Sequence, residues 1–191
     1  MTFYKHARKA WRNPSDKMEK IWRQRLKDWR KQPAIERIEN PTRIAKARSL
    51  GYKAKPGFVL VRGRIRRGGR KRAKIKAGRK PKKSGRTRYT PKENLMQIME
   101  ERVSDKHPNL EVLASYPVAK DGIYKWFEHV LVDPDHPSIK NDDSVASAAE
   151  KSGRAERGLT NAGKKSRGLE NRGKGAEKVR PSVSSSDGKS K

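Results

Sequence analysis

Residues 110–132, LEVLASYPVAKDGIYKWFEHVLV, decide the fold. Leu110 to Val118 and Ile123 to Val132 read as two strands, and in the second Tyr124, Trp126, Val130 and Val132 alternate with Lys125, Phe127, His129 and Leu131. Asp121-Gly122 stands between them, and because both residues tolerate positive φ this dipeptide is a strong hairpin signal. An antiparallel hairpin is therefore expected.

Working outward, Leu95, Met96, Met99 and Val103 fall on one face of a helix that ends near His107-Pro108. Thr90-Pro91-Lys92-Glu93 has the form of a capping box for it, with Pro at the first helical position. Upstream, Phe58 to Ile65 reads as a strand. Phe58, Leu60, Arg62, Arg64 and Arg66 alternate with Val59, Val61 and Ile65, so the apolar side suits a core and the arginine side suits phosphate. Residues 1–40 read as helical. Asn13-Pro14 resembles an N-cap with Pro following, Asp16 and Glu19 suit the positive end of the helix dipole, and Pro33 stops the run. Met18, Trp22, Leu26 and Trp29 share one face and Lys20, Arg23, Lys27 and Lys31 the other. Packing is the expected use of the two tryptophans, with base stacking as the sharper alternative. Residues 41–57 are punctuated by Pro41, Pro56, Gly51 and Gly57 and read as irregular, with at most short turns. The expected fold is α+β: a small antiparallel sheet with a packed helix, N-terminal helices and long basic non-globular extensions. The core then comprises residues 58–67 and 90–143, with a basic arm at 68–89 and a basic Gly- and Ser-rich tail at 144–191.

Charge says more about function than the core does. From Asn40 to Lys92, 53 consecutive residues, there is no Asp or Glu, while Lys and Arg occur 21 times. A one-sided stretch of this kind repels itself unless a polyanion neutralises it. Over the whole chain 50 basic residues face 21 acidic ones for a net charge of +29, the footprint of a nucleic-acid binder. No apolar run of membrane-spanning length and no signal peptide is visible, so the chain reads as intracellular and membrane-free. The absence of cysteine excludes disulfides, thiolate chemistry and cysteine-based zinc sites. Residues 70–88 hold eleven Lys or Arg with Ile75 as the one large aliphatic, a composition expected to be disordered alone. The tail carries a repeat with a period of ten: RGLTNAGK at 157–164 and RGLENRGK at 167–174 match at six of eight positions. Two copies are too few for a solenoid, whereas repeated contact with a phosphate backbone suits Gly for close approach and Arg or Lys for charge.

A catalytic constellation is hard to build. Asp133-Pro134-Asp135-His136-Pro137, followed by Asn141-Asp142-Asp143, has the density for a hard metal and hence a metal-dependent nuclease. Two prolines within five residues favour an ordinary turn at a strand end instead. The histidines lack metal-site spacing, and no phosphate-cradling GxxxxGK[ST] loop is present. No metal, cofactor or small-molecule substrate is indicated. A DNA-compacting protein remains the alternative binder, because phosphate contacts carry no sequence information.

One family ties these features together. PTRIAKARSLGYKAK at 41–55 closely resembles the signature segment of ribosomal protein fifteen of the archaeal and eukaryotic "e" series, a large-subunit protein. The resemblance continues at 61–72, 100–102, 113–116 and 130–137 and in both tail repeats, nearly the whole chain in order, and the tail is similar to archaeal members. It implies a non-enzymatic α+β domain whose extensions bind and cross-brace large-subunit ribosomal RNA beside neighbouring ribosomal proteins. Phosphate-clamping roles are then expected for Arg43, Lys46, Arg48, Lys53 and Lys55 in the signature, with Tyr52 either stacking or packing. In the central arm they are expected for Arg62, Arg64, Arg66, Arg67, Arg70, Lys71, Arg72, Lys74, Lys76, Arg79, Lys80, Lys82, Lys83, Arg86 and Arg88, and in the tail for Arg157, Lys164, Lys165, Arg167, Arg172 and Lys174.

Overall fold

A computed structural model describes residues 2–71, 88–89, 91–174 and 176. Its centre is a four-stranded antiparallel sheet of β1 (Ile35–Ile38), β2 (Phe58–Arg66), β6 (Tyr124–Val132) and β5 (Glu111–Lys120), in that spatial order. The hairpin forms as expected: β5 pairs with β6 from Glu111↔Val132 to Lys120↔Lys125. The Asp121 carboxylate closes the turn by accepting from the backbone N–H groups of Ile123 at 2.6 Å and Tyr124 at 2.5 Å. A two-residue ribbon, β3 (Arg70–Lys71) with β4 (Arg88–Tyr89), extends from the end of β2.

Both faces of the sheet are covered, which the strand pattern did not foretell. On one face lies α4 (Leu95–Lys106), whose Ile98, Met99 and Val103 pack on Val61, Ile65, Phe127 and Leu131. Its N-cap is Asn94, not Thr90: the Asn94 Oδ1 accepts from the backbone N–H groups of Met96 at 3.0 Å and Gln97 at 2.9 Å. The other face carries α1 (Phe3–Arg12), α2 (Asp16–Lys31) and the short α3 (Ile44–Ser49). Here Trp29, Ala47 and Tyr52 bury against Leu60, Tyr116, Trp126 and Val130. Trp11, Trp22, Trp29 and Trp126 form a ladder with successive ring centroids 5.1, 5.8 and 6.2 Å apart, so packing is what these tryptophans do. Ser15 rather than Asn13 occupies the N-cap position of α2, and α3 replaces the expected turns of the signature segment.

The segment after Asp143, expected as an extension outside the core, folds back on the domain through Ala176. It contains α6 (Asp143–Ala149) and α7 (Asn161–Ser166), preceded by the one-turn α5 (Pro137–Lys140). Val145 and Ala149 pack with Val132 and Ile139, while Ala155 joins the cluster beneath α4. Thr160 caps α7 by accepting from the Gly163 N–H at 3.1 Å and donates to the buried Glu100 carboxylate at 2.5 Å. Asn94 adds donations from its Nδ2 to the Ala162 carbonyl and the Ser166 hydroxyl, each at 2.8 Å. Removing this segment would uncover the core rather than trim a tail.

Candidate nucleic-acid interface

The signature segment shows how the basic residues divide. Arg43 lies over the Trp11 ring with its guanidinium 4.9 Å from the centroid, and Arg48 lies 5.5 Å from that of Tyr4. Burial lowers the Arg43 pKa, and the nearby cations of Arg12 and Arg8 lower it further, against an opposing effect of Tyr116. The α1 helix thus crowds arginines against the signature. Its cations Lys5, Arg8, Lys9 and Arg12 were not singled out from sequence, although the density of basic residues in the first twelve was a usable signal.

Other signature residues have protein partners. Lys53 and Lys55 converge on the Asp142 carboxylate at 2.6 and 2.8 Å. Those contacts, with a donation from the Ser144 hydroxyl, hold the Asp142 pKa well below the usual carboxylate range. Tyr52 is buried, its ring 5.9 Å from and perpendicular to that of Phe58, which resolves the choice between stacking on a base and packing in favour of packing. Lys46 is half-buried and has no ion-pair partner among the described residues.

The arginine face of β2 needs a larger correction, because α2 covers it. The Arg62 guanidinium sits 4.1 Å from the Trp29 centroid, donates to the Gln32 side chain at 2.8 Å and pairs with Glu36 at 3.2 Å; its side chain is 10% exposed. Arg64 lies 4.9 Å from the Tyr124 centroid and donates to the backbone carbonyls of Trp29 and Arg30. Both therefore hold α2 on the sheet instead of facing phosphate. The exposed end of the strand differs: Arg66 and Arg70 lack ion-pair partners among the described residues, and Arg67 donates one N–H to the Asp121 carbonyl. The α4 residue Arg102, absent from the sequence-based set, joins them around one pocket. Lys71 and Arg88 pair through their backbones in the β3–β4 ribbon. Arg72, Lys74, Lys76, Arg79, Lys80, Lys82, Lys83 and Arg86 lie outside the described residues.

In the repeats, Arg157 donates to the Ser152 carbonyl at 2.5 Å and Arg167 to the Gly158 carbonyl at 3.2 Å. Lys164, Lys165, Arg172 and Lys174 are exposed and make no ion pair among the described residues. The repeat glycines serve the fold first. Gly158 adopts φ of +61°, and a Cβ added at Gly163 would stand 2.6 Å from the Gly158 carbonyl carbon. The two backbones meet where phosphate contact was expected.

Fold and charge together define a class: a small, strongly basic α+β domain with cations that lack ion-pair partners among the described residues. The comparisons are more specific. The family model described as Ribosomal L15 matches residues 2–186. Large ribosomal subunit protein eL15 of Haloarcula marismortui is 47% identical over 191 residues, covering 98% of this chain and 97% of that protein. The chain belongs to the Ribosomal L15 family, whose members are structural proteins of the ribosome and not enzymes.

Proposed function

We propose that the protein is a structural constituent of the large ribosomal subunit that binds ribosomal RNA and braces segments of it against one another. The observation that carries this reading is the arrangement of unpaired cations. They gather on α1 beside Arg43, at the root of the central arm, and on the last turns of the C-terminal segment, three places joined by one well-packed domain. A rigid body that carries cations on several elements can contact several phosphate-bearing strands at once, which neutralises their mutual repulsion. The name of the Haloarcula relative places that protein in the large subunit, which supports the same assignment here. Neighbouring ribosomal proteins are the further partners it brings.

A competition experiment tests the reading. Purified full-length protein is offered large-subunit RNA and duplex DNA of equal phosphate content at one fixed salt concentration. Preference for the folded RNA is expected, because phosphates converge from several strands in the crevices between its helices and can meet many cations of one stiff domain at once. Equal affinity for the two would instead identify a general polyanion binder.

A further inference from the structure

Where β2 leaves the sheet, Ile65, Leu95 and Ile98 floor a pocket of about 560 Å³. Leu95, Ile98 and Arg102 occupy one face of α4 at positions i, i+3 and i+7, so the helix that supplies the apolar floor also supplies a cation at its edge. Arg66, Arg67 and Arg70 complete the rim, and no carboxylate among the described residues lines the pocket. The volume lies within the roughly 300–1,000 Å³ of small-ligand pockets.

The two halves of this lining ask for different things from an occupant. Guanidinium groups without a carboxylate call for phosphate. A bare phosphate would leave the apolar floor uncovered. Duplex nucleic acid would as well, since its bases stay stacked inside the helix and offer a groove only charge. A nucleotide turned out of its stack satisfies both, with an apolar base face for the floor and phosphates on either side for the arginines.

We propose that this pocket seats one unpaired nucleotide of large-subunit RNA, its base against Leu95, Ile98 and Ile65 and its flanking phosphates on the arginine rim, with Arg102 as a binding residue. The proposal rests on the RNA-binding function above and adds a defined subsite to it. The β3–β4 ribbon starts at the rim, so a strand held here would run on to that ribbon.

The test uses the full chain assembled into large subunits, with photoreactive p-benzoylphenylalanine in place of Leu95 or, in a second version that avoids the apolar floor, in place of the exposed Arg70. Irradiation followed by mapping of reverse-transcription stops is expected to place both crosslinks on one unpaired nucleotide or its immediate neighbour. Arg102→Glu, which puts a carboxylate on the rim, is expected to abolish the Leu95 crosslink while the chain stays in the subunit. Crosslinks to paired RNA, to another protein or to nothing, in subunits that retain the chain, would overturn the pocket assignment alone. Failure of the unmodified chain to enter the large subunit would overturn the function on which it rests.

Discussion

Substituting Thr160 by Val removes a single hydroxyl that ties the C-terminal segment to the core. In the native protein this hydroxyl donates to Glu100 at 2.5 Å and accepts from the Gly163 N–H at 3.1 Å as the N-cap of α7. Valine keeps the shape and loses both bonds. A hydrogen bond to a charged group contributes about 1.5–3 kcal/mol, and a lost N-cap costs about 1 kcal/mol, so the expected loss is about 3 kcal/mol. For a urea m-value of about 2 kcal/mol per molar, the unfolding midpoint should fall by about 1.5 M. A pH comparison identifies the acceptor. Burial holds the Glu100 pKa above its ordinary value, opposed by the Ser115 and Thr160 hydroxyls and by Arg154. A raised carboxyl pKa favours the native state most below the unfolded value, and that contribution is lost as pH rises through the folded value. Removing a donor raises the folded value further. The penalty of Thr160→Val should therefore be larger at about pH 8 than at about pH 4. Ser115→Ala, which removes the other hydroxyl on the same carboxylate, should couple with it in a double-mutant cycle. A penalty under about 1 kcal/mol, well below the loss of one buried charge-assisted bond, or one equal at both pH values, would refute the anchoring role of this contact.

Three other variants probe separate parts of the fold. Arg62→Ala removes the cation over Trp29 and the bonds to Gln32 and Glu36, with an expected loss of about 2–3 kcal/mol and a change in tryptophan emission as α2 loosens; Arg62→Lys should restore little of it, since an ammonium cannot form the planar fork. Gly163→Ala drives a Cβ into the Gly158 backbone and should lower the thermal midpoint, with a loss of about 1–3 kcal/mol, whereas Gly173→Ala has open space around its Cβ and should act only through backbone strain. His129 is fully buried without a side-chain hydrogen bond among the described residues, and burial lowers its pKa to about 3. Because the folded value lies below the unfolded one, its contribution is complete above about pH 6.5 and fades as pH falls toward about 3, at close to 1.4 kcal/mol per pH unit. His129→Leu should flatten that part of the stability profile in denaturant titrations.

The hairpin and α4 were legible in the sequence because their side chains alternate with clear periods and the turn between the strands carries Asp-Gly. The C-terminal packing was not, because it uses Ala155, Ala162, Gly158 and Gly163. Small residues that bring backbones together look the same as residues that fill a flexible tail. The β1 strand escaped notice for a related reason: four residues with Glu36 and Arg37 among them give no alternation to read. Among the basic residues, type alone could not separate those that hold the fold from those that face outward. Lys53 and Lys55 meet Asp142 across almost ninety positions, and Arg62 meets Trp29 across a strand and a helix. The outward cations Arg66 and Arg70 were legible because they belong to the long stretch without Asp or Glu, while Arg102 was hidden within a helix read for its apolar face.

The most direct test of the central claim is sedimentation of the tagged full-length protein with ribosomal subunits from its own cells at about 50 mM and about 500 mM monovalent salt. Binding through about ten phosphate contacts alone loses many orders of magnitude over this range, with a slope of about 0.7–0.9 per contact on logarithmic axes. A protein embedded by several faces of a packed domain should remain in the large-subunit peak at both concentrations. Release to the top of the gradient at high salt would contradict the bracing role and leave a surface-bound polycation.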